Sequence, residues 1–246
     1  MSPTPPPERP AEPDRREIAA QARRIARLAL KAAMATRDAV SGDPFISMGA
    51  AATAMDGAPV LLMSALARHR RNLDRHPEAS LLFETGEDRA NPLTGARISI
   101  SGRVEPLADE IDQARFLARQ PKAFYAGFSD FQFYKLQVRD VHFVGGFGIA
   151  MNLAPADYLL ETGRLGALRQ AEGELIARLT RDHKAVLHNI VKKRLNGPKG
   201  AWRLTGIDPE GCDFMWKHRV RRYDFAAPIE TPEQALPAIL ADPECG

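Results

Sequence analysis

The chain has 246 residues, 44% of them hydrophobic and 26% charged, which is enough for one large globular domain or two small ones. Because 34 basic residues are nearly balanced by 31 acidic ones, the formal charge of +3 argues against nucleic acid as the main partner. The two cysteines lack a CxxC spacing and support no disulfide framework or structural zinc site, and no apolar run approaches the roughly 18 residues of a membrane span. We therefore expect a cytoplasmic protein with no metal site and no membrane segment, preceded by a disordered leader in residues 1–15, which are rich in proline and charge.

The first elements predicted are a helix and a β-hairpin. Arg16–Val40 is rich in alanine and arginine, with apolar residues at roughly helical spacing, so it is predicted to be one amphipathic helix. Ser41-Gly42-Asp43-Pro44 ends this helix. Strands are predicted at Phe45–Met55 and Pro59–Met63, and Asp56-Gly57 between them indicates a type I′ turn, in which both central residues take positive φ.

The following segments continue a pattern of strands with short helices between them. In chain order they are a helix at Leu66–Arg75, strands at Ala79–Glu84 and Arg97–Val104, a helix at Ala108–Arg119, and one or two strands within Phe131–Val144. Strands that come first, with short helices crossing between them, are typical of a small, mostly antiparallel barrel and not of a doubly wound sheet.

A second unit is predicted to begin near Gly166. Its elements are a long helix at Leu168–Leu195, short strands at Trp202–Ile207, Gly211–Trp216 and Val220–Phe225, and a closing helix at Thr231–Leu240. Thr231 suits the N-cap of the closing helix, and Pro232 suits its first position. The sequence thus predicts an α+β protein with two domains, a barrel with its N-terminal helix in residues 16–165 and an α-β-β-β-α appendage in residues 166–246.

A strand that runs directly into a basic helix, from Val60 to Leu73, is the segment most suggestive of a binding site. The free N–H groups and the dipole of a helix N-terminus attract an anion, and Arg68, His69 and Arg70 would add donors that suit a phosphate. The alternative is a surface helix that Ser64 merely caps.

Five motifs follow one another along the chain. They are Pro44-Phe45-Ile46-Ser47; Asp56-Gly57 before Pro59–Met63; Ser64-x-Leu66-Ala67-x-His69-x-x-Asn72-Leu73 before His76-Pro77; Asn91-Pro92-Leu93-x-Gly95-x-Arg97 with Gly102; and Val144-Gly145-Gly146-Phe147-Gly148-x-Ala150. In order and spacing they resemble the FMN-binding split barrels of the pyridoxamine 5′-phosphate oxidase superfamily, and more closely its HugZ-like haem-utilisation branch. The C-terminal unit looks like the domain usually appended to that branch.

The resemblance implies a split β-barrel that works as a homodimer, with FMN in a groove at the dimer interface. It implies cofactor contacts from Ser47 on the first strand, from Ser64, Arg68, His69 and Asn72 around the phosphate, and from Arg97 of the other subunit. The Lys and Arg that contact the phosphate in the oxidases are missing here, and so is the substrate-binding tail of those enzymes. Vitamin B6 oxidation is therefore not expected, and the catalytic residues are not identified.

Three functions remain open from these features. The first is a flavoprotein, an oxidoreductase that binds FMN and passes electrons to a small-molecule substrate or to oxygen, with haem as the substrate that the resemblance suggests. The second is a haem-binding protein without flavin chemistry. The resemblance implies a haem ligand from a histidine near the C-terminus or in a loop. Six histidines are present, but residues 241–246 contain none, so the C-terminal ligand cannot be carried over. The third is a non-catalytic dimeric interaction module.

Overall fold

A computed structural model describes residues 14–84, 94–145 and 149–241. In these ranges the chain forms ten strands and seven α-helices. The strands are β1 (Lys31–Arg37), β2 (Pro44–Thr53), β3 (Pro59–Ser64), β4 (Glu78–Glu84), β5 (Arg97–Pro106), β6 (Phe131–Val144), β7 (Ala150–Leu153), β8 (Arg203–Asp208), β9 (Gly211–Trp216) and β10 (Arg219–Asp224). The helices are α1 (Arg15–Leu28), α2 (Arg68–Arg75), α3 (Glu110–Arg119), α4 (Pro155–Tyr158), α5 (Gly166–Asp182), α6 (Lys184–Asn189) and α7 (Pro232–Leu240). Most of the predicted leader, of the turn at 91–95 and of the glycine-rich break at 145–148 lies outside the described residues.

The first seven strands form one antiparallel sheet that closes on itself. Their order is β3-β2-β1-β4-β5-β6-β7, and β3 also pairs with β6. Strands β1 to β6 therefore form a closed barrel, and β7 pairs with β6 outside it. The predicted α+β class and the antiparallel barrel are confirmed.

The apolar face of helix α1 packs against the side chains that fill the barrel. Ile18, Ala22 and Ile25 lie three or four residues apart on one face of the helix and share a buried cluster with Met34 of β1 and Ile100 of β5. Complete burial of a large apolar side chain contributes about 1.5–3 kcal/mol. Because this cluster fills the inside, a ligand site that solvent can reach is expected on the outer face or at the ends of the barrel.

The predicted helix at Arg16–Val40 is wrong in its second half. Helix α1 ends at Leu28, and Lys31–Arg37 forms strand β1, in which burial alternates from one residue to the next. Strand β1 pairs with β2 on one side and β4 on the other. The alanines of this segment match a helical pattern as well as an alternating one, and the two strand pairings override their helix propensity.

The hairpin between β2 and β3 is confirmed, but its turn is not the predicted type I′. Only Gly57 of the Asp56-Gly57 pair has positive φ, at 94°. The Ala54 N–H donates to the Ala58 carbonyl oxygen at 2.9 Å, and the Gly57 N–H donates to the Ala54 carbonyl oxygen at 3.0 Å. The loop therefore contains three residues and places glycine at its left-handed position.

Helices α2 and α3 begin two residues later than predicted, at Arg68 and Glu110. Helix α3 begins there because Asp109 Oδ1 accepts hydrogen bonds from the N–H groups of Ile111 at 3.0 Å and Asp112 at 3.1 Å. The strands predicted in this part of the chain are confirmed as β4, β5 and β6, and β6 is a single strand.

The C-terminal unit contains a three-stranded antiparallel sheet in the order β10-β9-β8 together with α5, α6 and α7. The strands and the closing helix agree with the prediction. The single helix predicted at Leu168–Leu195 is wrong: α5 stops before His183, which has φ −126° and ψ 29°, and a π-helical turn follows at Ile190–Arg194. The break turns the chain so that Leu179 of α5 and Leu187 of α6 lie in the same buried cluster.

Buried arginine–carboxylate pairs join the barrel to the C-terminal unit. Arg222 donates to the two carboxylate oxygens of Asp208, at 2.7 and 2.8 Å, and to Asp213 at 3.1 Å. Arg27 of α1 lies 3.2 Å from Asp208, and all four side chains are at most 1% exposed. Burial favours the protonated acid, but Arg222 and Arg27 outweigh that effect and hold the pKa of Asp208 below its usual range.

Helix α3 adds two more arginines to this contact. Arg115 pairs with Glu172 of α5 and donates to the Ile207 carbonyl oxygen at 3.1 Å. Arg119 donates to Asp213 at 2.8 Å. The two predicted domains thus share a buried, charged interface, and that the C-terminal unit is a separate domain stays a prediction.

Replacing Asp208 with Asn is expected to lower the free energy of unfolding by about 3–5 kcal/mol, because Arg27 and Arg222 then remain buried with too little negative charge around them. Chemical denaturation measures the change. Asp182→Asn is the matched control, since Asp182 pairs with Arg181 in solvent and its neutralisation should change stability little. Similar small effects at the two positions would contradict a structural role for the buried pairs.

Candidate functional site

The strand-to-helix turn after β3 is tied to the loop that precedes β6. Ser64 Oγ donates to Asp130 Oδ2 at 2.6 Å and accepts a hydrogen bond from the Leu66 N–H at 3.1 Å. Helix α2 has Ala67 as its N-cap residue, without a side-chain cap. The alternative in which Ser64 caps this helix is therefore wrong, and the Ser64 hydroxyl is committed to internal partners.

Arg68 is held by the turn that follows β1. Its Nε and Nη2 lie 2.8 and 2.7 Å from Asp38 Oδ2, and its guanidinium carbon lies 4.5 Å from the centre of the Phe45 ring. Asp38 Oδ1 accepts hydrogen bonds from the N–H groups of Ser41 and Val40, both at 3.0 Å. The Ser41 N–H, Arg68 and the Val40 N–H together lower the pKa of Asp38 to about 2.

Asn72 and His69 lie on the same helix but do not form an open anion site with Arg68. Asn72 is buried: its Nδ2 donates to Thr36 Oγ1 at 3.0 Å, and its Oδ1 accepts from the Ala39 N–H at 3.0 Å. His69 is half-buried, and desolvation lowers its pKa from the usual 6.5. At neutral pH His69 is therefore uncharged and adds no positive charge for a phosphate.

Ser47 faces the inner side of the barrel wall. It pairs with Met34, whose side chain is buried inside the barrel, whereas its neighbours Ile46 and Met48 are exposed on the outer face. Ser47 Oγ is buried and has no hydrogen-bond partner in the part of the chain that the structure describes.

Arg97 lies at the other end of the barrel from α2. It is the first residue of β5 and pairs with Glu84 and Val144. About six or seven residues of β1 separate its level in the sheet from Asp38, which corresponds to roughly 20 Å at the rise of a β-strand. Within one protomer the structure therefore gathers Ser64, Arg68, His69 and Asn72 around α2, but not Arg97. The predicted FMN contacts of all six residues stay predictions.

A groove on the outer face of the barrel was not identified from the sequence. It has a volume of about 490 Å³, and small residues of β1, β4 and β5 form its floor: Ala35, Ser80, Ser101 and Gly102. The hydroxyls of Ser80 and Ser101 lie 2.6 Å apart. Charged residues border it: Arg37, Glu78 and Arg139.

The groove depends on how β5 pairs with β6. The register of this pair shifts between Ser101 and Gly102, and a Cβ atom on Gly102 would lie 2.0 Å from the Gln137 carbonyl oxygen. Only glycine therefore allows the two strands to approach at this point. The signal in the sequence was the alternation of Ser99 and Ser101 with Ile98 and Ile100, which places two small polar residues on the outer face of β5.

Large apolar side chains continue the outer face beyond the groove. Ile46 is 71% exposed, Met48 58% and Leu82 42%. Met48 and Leu82 lie on either side of Ala33 in the register of β2, β1 and β4. The groove and these three side chains form one continuous outer sheet face, which we call the open face.

A closed antiparallel barrel with a helix packed against its core and a groove on its outer face defines a protein of the split-barrel class. More specifically, residues 13–160 match the family model described as CREG, beta-barrel, and the chain belongs to this family. The predicted relationship to split barrels with haem-binding members is confirmed.

Proteins similar to this chain include haem proteins. Heme oxygenase HOZ of Arabidopsis thaliana, a chloroplastic protein, is 34% identical over 161 residues, which are 61% of this chain and 48% of HOZ, so the chain spans about half the length of that relative. A heme binding protein from Mycobacterium smegmatis is 28% identical, with a TM-score of 0.55 over 94% of this chain and 96% of that chain. A protein of unknown function from Agrobacterium tumefaciens is 27% identical, with a TM-score of 0.79 over 97% of this chain and 100% of that chain.

Neither a membrane-spanning helix nor a metal-binding cluster is found among the described residues. No helix within residues 14–84, 94–145 and 149–241 is long and apolar enough to cross a membrane. In the same ranges no three His, Cys, Asp or Glu side chains are grouped so that they could hold a metal ion.

The low pKa of Asp38 predicts that the turn after β1 weakens in acid. Because the folded-state pKa of about 2 lies below the ordinary 3.8, the carboxylate stabilises the fold above about pH 4, and this contribution is lost as the pH falls towards 2. An NMR titration should give a pKa of about 2 for Asp38 and a higher value in Arg68→Ala. Arg181→Ala, which removes a distant exposed arginine, should leave it unchanged. An Asp38 pKa near 3.8 in the unsubstituted protein would contradict the observed contacts.

Proposed function

We propose that this protein binds haem in the groove of the open face and acts in haem utilisation or degradation, as a homodimer in the cytoplasm. The observation that carries the proposal is the groove itself, a depression of about 490 Å³ on the outer face, with a floor of small residues. The similarity to a heme oxygenase and to a heme binding protein supports haem as the ligand.

The chemistry of the open face suits a flat apolar ring that carries carboxylates. Ala35, Ser80 and Ser101 leave space for a ring at the floor of the groove, and Met48 and Leu82 offer apolar contacts beside it. The two guanidinium groups at the border of the groove, those of Arg37 and Arg139, would donate to the haem carboxylates. Bound haem would supply the oxygen-binding chemistry, and the chain would position the ring.

A second copy of the chain fits as the cover of this face. Ile46, Met48 and Leu82 expose apolar surface side by side, which is unusual for a face that remains in solvent. In a two-fold dimer the same patch of both subunits is in contact. The open faces of the two copies would then bury each other's apolar side chains, and each groove would lie between the two subunits.

FMN is the second candidate ligand, and with it flavin-dependent oxidoreductase activity. One observation favours it: the Arg68 side chain is 57% exposed, so it could reach a phosphate while it contacts Asp38. Against it, Ser64, Arg68 and Asn72 already have internal hydrogen-bond partners, and His69 is uncharged at neutral pH. A phosphate at this turn would have to replace these hydrogen bonds, whereas at the groove a haem carboxylate would share Arg139 with Glu78, whose nearest carboxylate oxygen lies 3.9 Å from the guanidinium.

A titration of the purified protein with haemin, followed in the Soret region, tests the proposal. A saturable site is expected, and Ser80→Trp, which fills the groove, should abolish it. Arg139→Glu should weaken haemin binding on the order of tenfold through loss of a charge-assisted hydrogen bond. The charge control is Arg181→Glu on α5, which should bind like the unsubstituted protein.

Other outcomes of this titration would change the assignment. Stabilisation by FMN that Arg68→Ala abolishes, without a saturable haemin site, would favour the flavoprotein. A chain that neither ligand stabilises against heating would be a non-catalytic interaction module, because a ligand that binds only the native state must raise its melting temperature.

The proposed dimer predicts a difference between two leucines of similar exposure. Leu82→Asp should raise the dimer dissociation constant by more than about tenfold, because a carboxylate would be buried in the shared face. Leu117 of α3 is 40% exposed, close to the 42% of Leu82, but lies outside the open face. Leu117→Asp should therefore leave the dimer intact in sedimentation velocity runs. A monomeric unsubstituted protein, or equal effects of both substitutions, would contradict this interface.

A further inference from the structure

One histidine stands on the open face beside the groove. His142 of β6 is exposed, and it pairs with Ser99 of β5 on one side and Asn152 of β7 on the other. Asp140 and Ser101 form the next outward-facing pair along these strands, and Ser101 lines the groove. His142 is thus two residues along β6 from the level of Ser101, a distance of roughly 7 Å along the strand.

The neighbouring strand fixes which ring nitrogen of His142 carries the proton. His142 Nδ1 lies 2.6 Å from the side-chain oxygen of Asn152. An amide oxygen can only accept a hydrogen bond, so Nδ1 is the protonated nitrogen and Nε2 carries the free lone pair. Asn152 is itself held in place, because its backbone carbonyl oxygen accepts a hydrogen bond from Arg15 Nη1 at 3.0 Å.

This arrangement is the one that prepares an imidazole to bind a metal. Histidine ligands of metals usually donate their second ring nitrogen to a carbonyl or carboxylate oxygen, which fixes the tautomer and the orientation of the ring. In the described part of the chain, His142 Nε2 has no hydrogen-bond partner. The fold therefore uses one nitrogen of this ring and leaves the other directed at solvent beside the groove.

The other five histidines are placed less favourably. His69 and His76 belong to α2 and its C-cap, and the other three lie in the C-terminal unit: His183, His188 and His218. His142 is the one histidine on a barrel strand.

We propose that His142 Nε2 is an axial ligand of haem iron bound at the open face and that Asn152 is its positioning residue. This inference rests on the proposed haem site and names the side chain that would attach the iron to it. Ser101, at the edge of the groove, and His142 are close enough to contact one planar ligand, so a ring held by His142 would reach the groove with one edge.

The test compares the haemin complexes of the full chain and its variants by absorption and electron paramagnetic resonance spectroscopy. In the unsubstituted protein the ferric spectrum should report a nitrogen ligand. In His142→Ala this signature should be lost, with an affinity at least about tenfold lower, and added imidazole should restore it. His218→Ala, which removes an exposed histidine from the turn between β9 and β10, should change neither spectrum nor affinity.

Substitutions of Asn152 should change the reduction potential of the iron, which a purely structural role of this residue would leave unchanged. Asn152→Asp places a stronger acceptor on Nδ1, makes the ligand more basic and should lower the iron reduction potential. Asn152→Leu removes the acceptor and should raise the potential. Opposite shifts with an unchanged melting temperature of the haem-free chains would support the positioning role, and equal or absent shifts would exclude it.

The possible failures are distinguishable. If the unsubstituted chain binds haemin saturably and His142→Ala keeps the same spectrum, the ligand assignment is wrong while the proposed function stands. If no variant and no unsubstituted chain binds haemin saturably, the proposed function is wrong and the ligand assignment with it. If His142→Ala fails to fold, His142→Gln, which keeps a polar side chain at the same position, replaces it in the comparison.

Discussion

The buried contact between arginines and carboxylates is the interaction on which the rest of the structure depends. Arg27 projects from α1, whose apolar face packs against the barrel core, and its partner Asp208 belongs to the C-terminal sheet. The contact is costly, because Arg27 Nε and Arg119 Nη1 are buried without a hydrogen-bond partner among the described residues. Such a network adds little net stability over an apolar core. It does raise the free energy of any other arrangement of the two units, because a displaced arginine would remain buried without its carboxylate. It therefore fixes the orientation of α1 and α3 relative to the C-terminal unit.

The open face follows from where these contacts are made. Helix α1 packs against the barrel core, and α1 and α3 carry the arginines that reach the C-terminal unit. The residues that line the groove all belong to the barrel and its turn after β1. At the groove, small outward-facing side chains of β1, β4 and β5 alternate with buried apolar ones, so the strands that build the core also produce a shallow surface. Exposed apolar groups and His142 lie on that surface, which suits the proposed binding of haem between two copies.

The sequence predicted the barrel well because its strands and turns have local signals. Alternation, the Asp56-Gly57 pair and the Pro and Gly residues depend only on near neighbours. The strand at Lys31–Arg37 could not be recognised, because alanine fits a helix and an alternating strand equally well and the choice depends on pairing with β2 and β4. At the candidate site, the sequence predicted the basic turn but not the internal partners of its side chains. Arg68 is bound by a carboxylate 30 residues earlier in the chain, and Asn72 by a hydroxyl 36 residues earlier. The groove needs the registers of several strands at once, which no local pattern encodes.

A crystal structure of the haemin complex, with iron located by its anomalous scattering, tests the central claim most directly. One iron is expected for each groove, on the outer face of β4, β5 and β6, with a second copy of the chain covering that face. Iron at the turn between β3 and α2, or haem bound away from the groove, would contradict it.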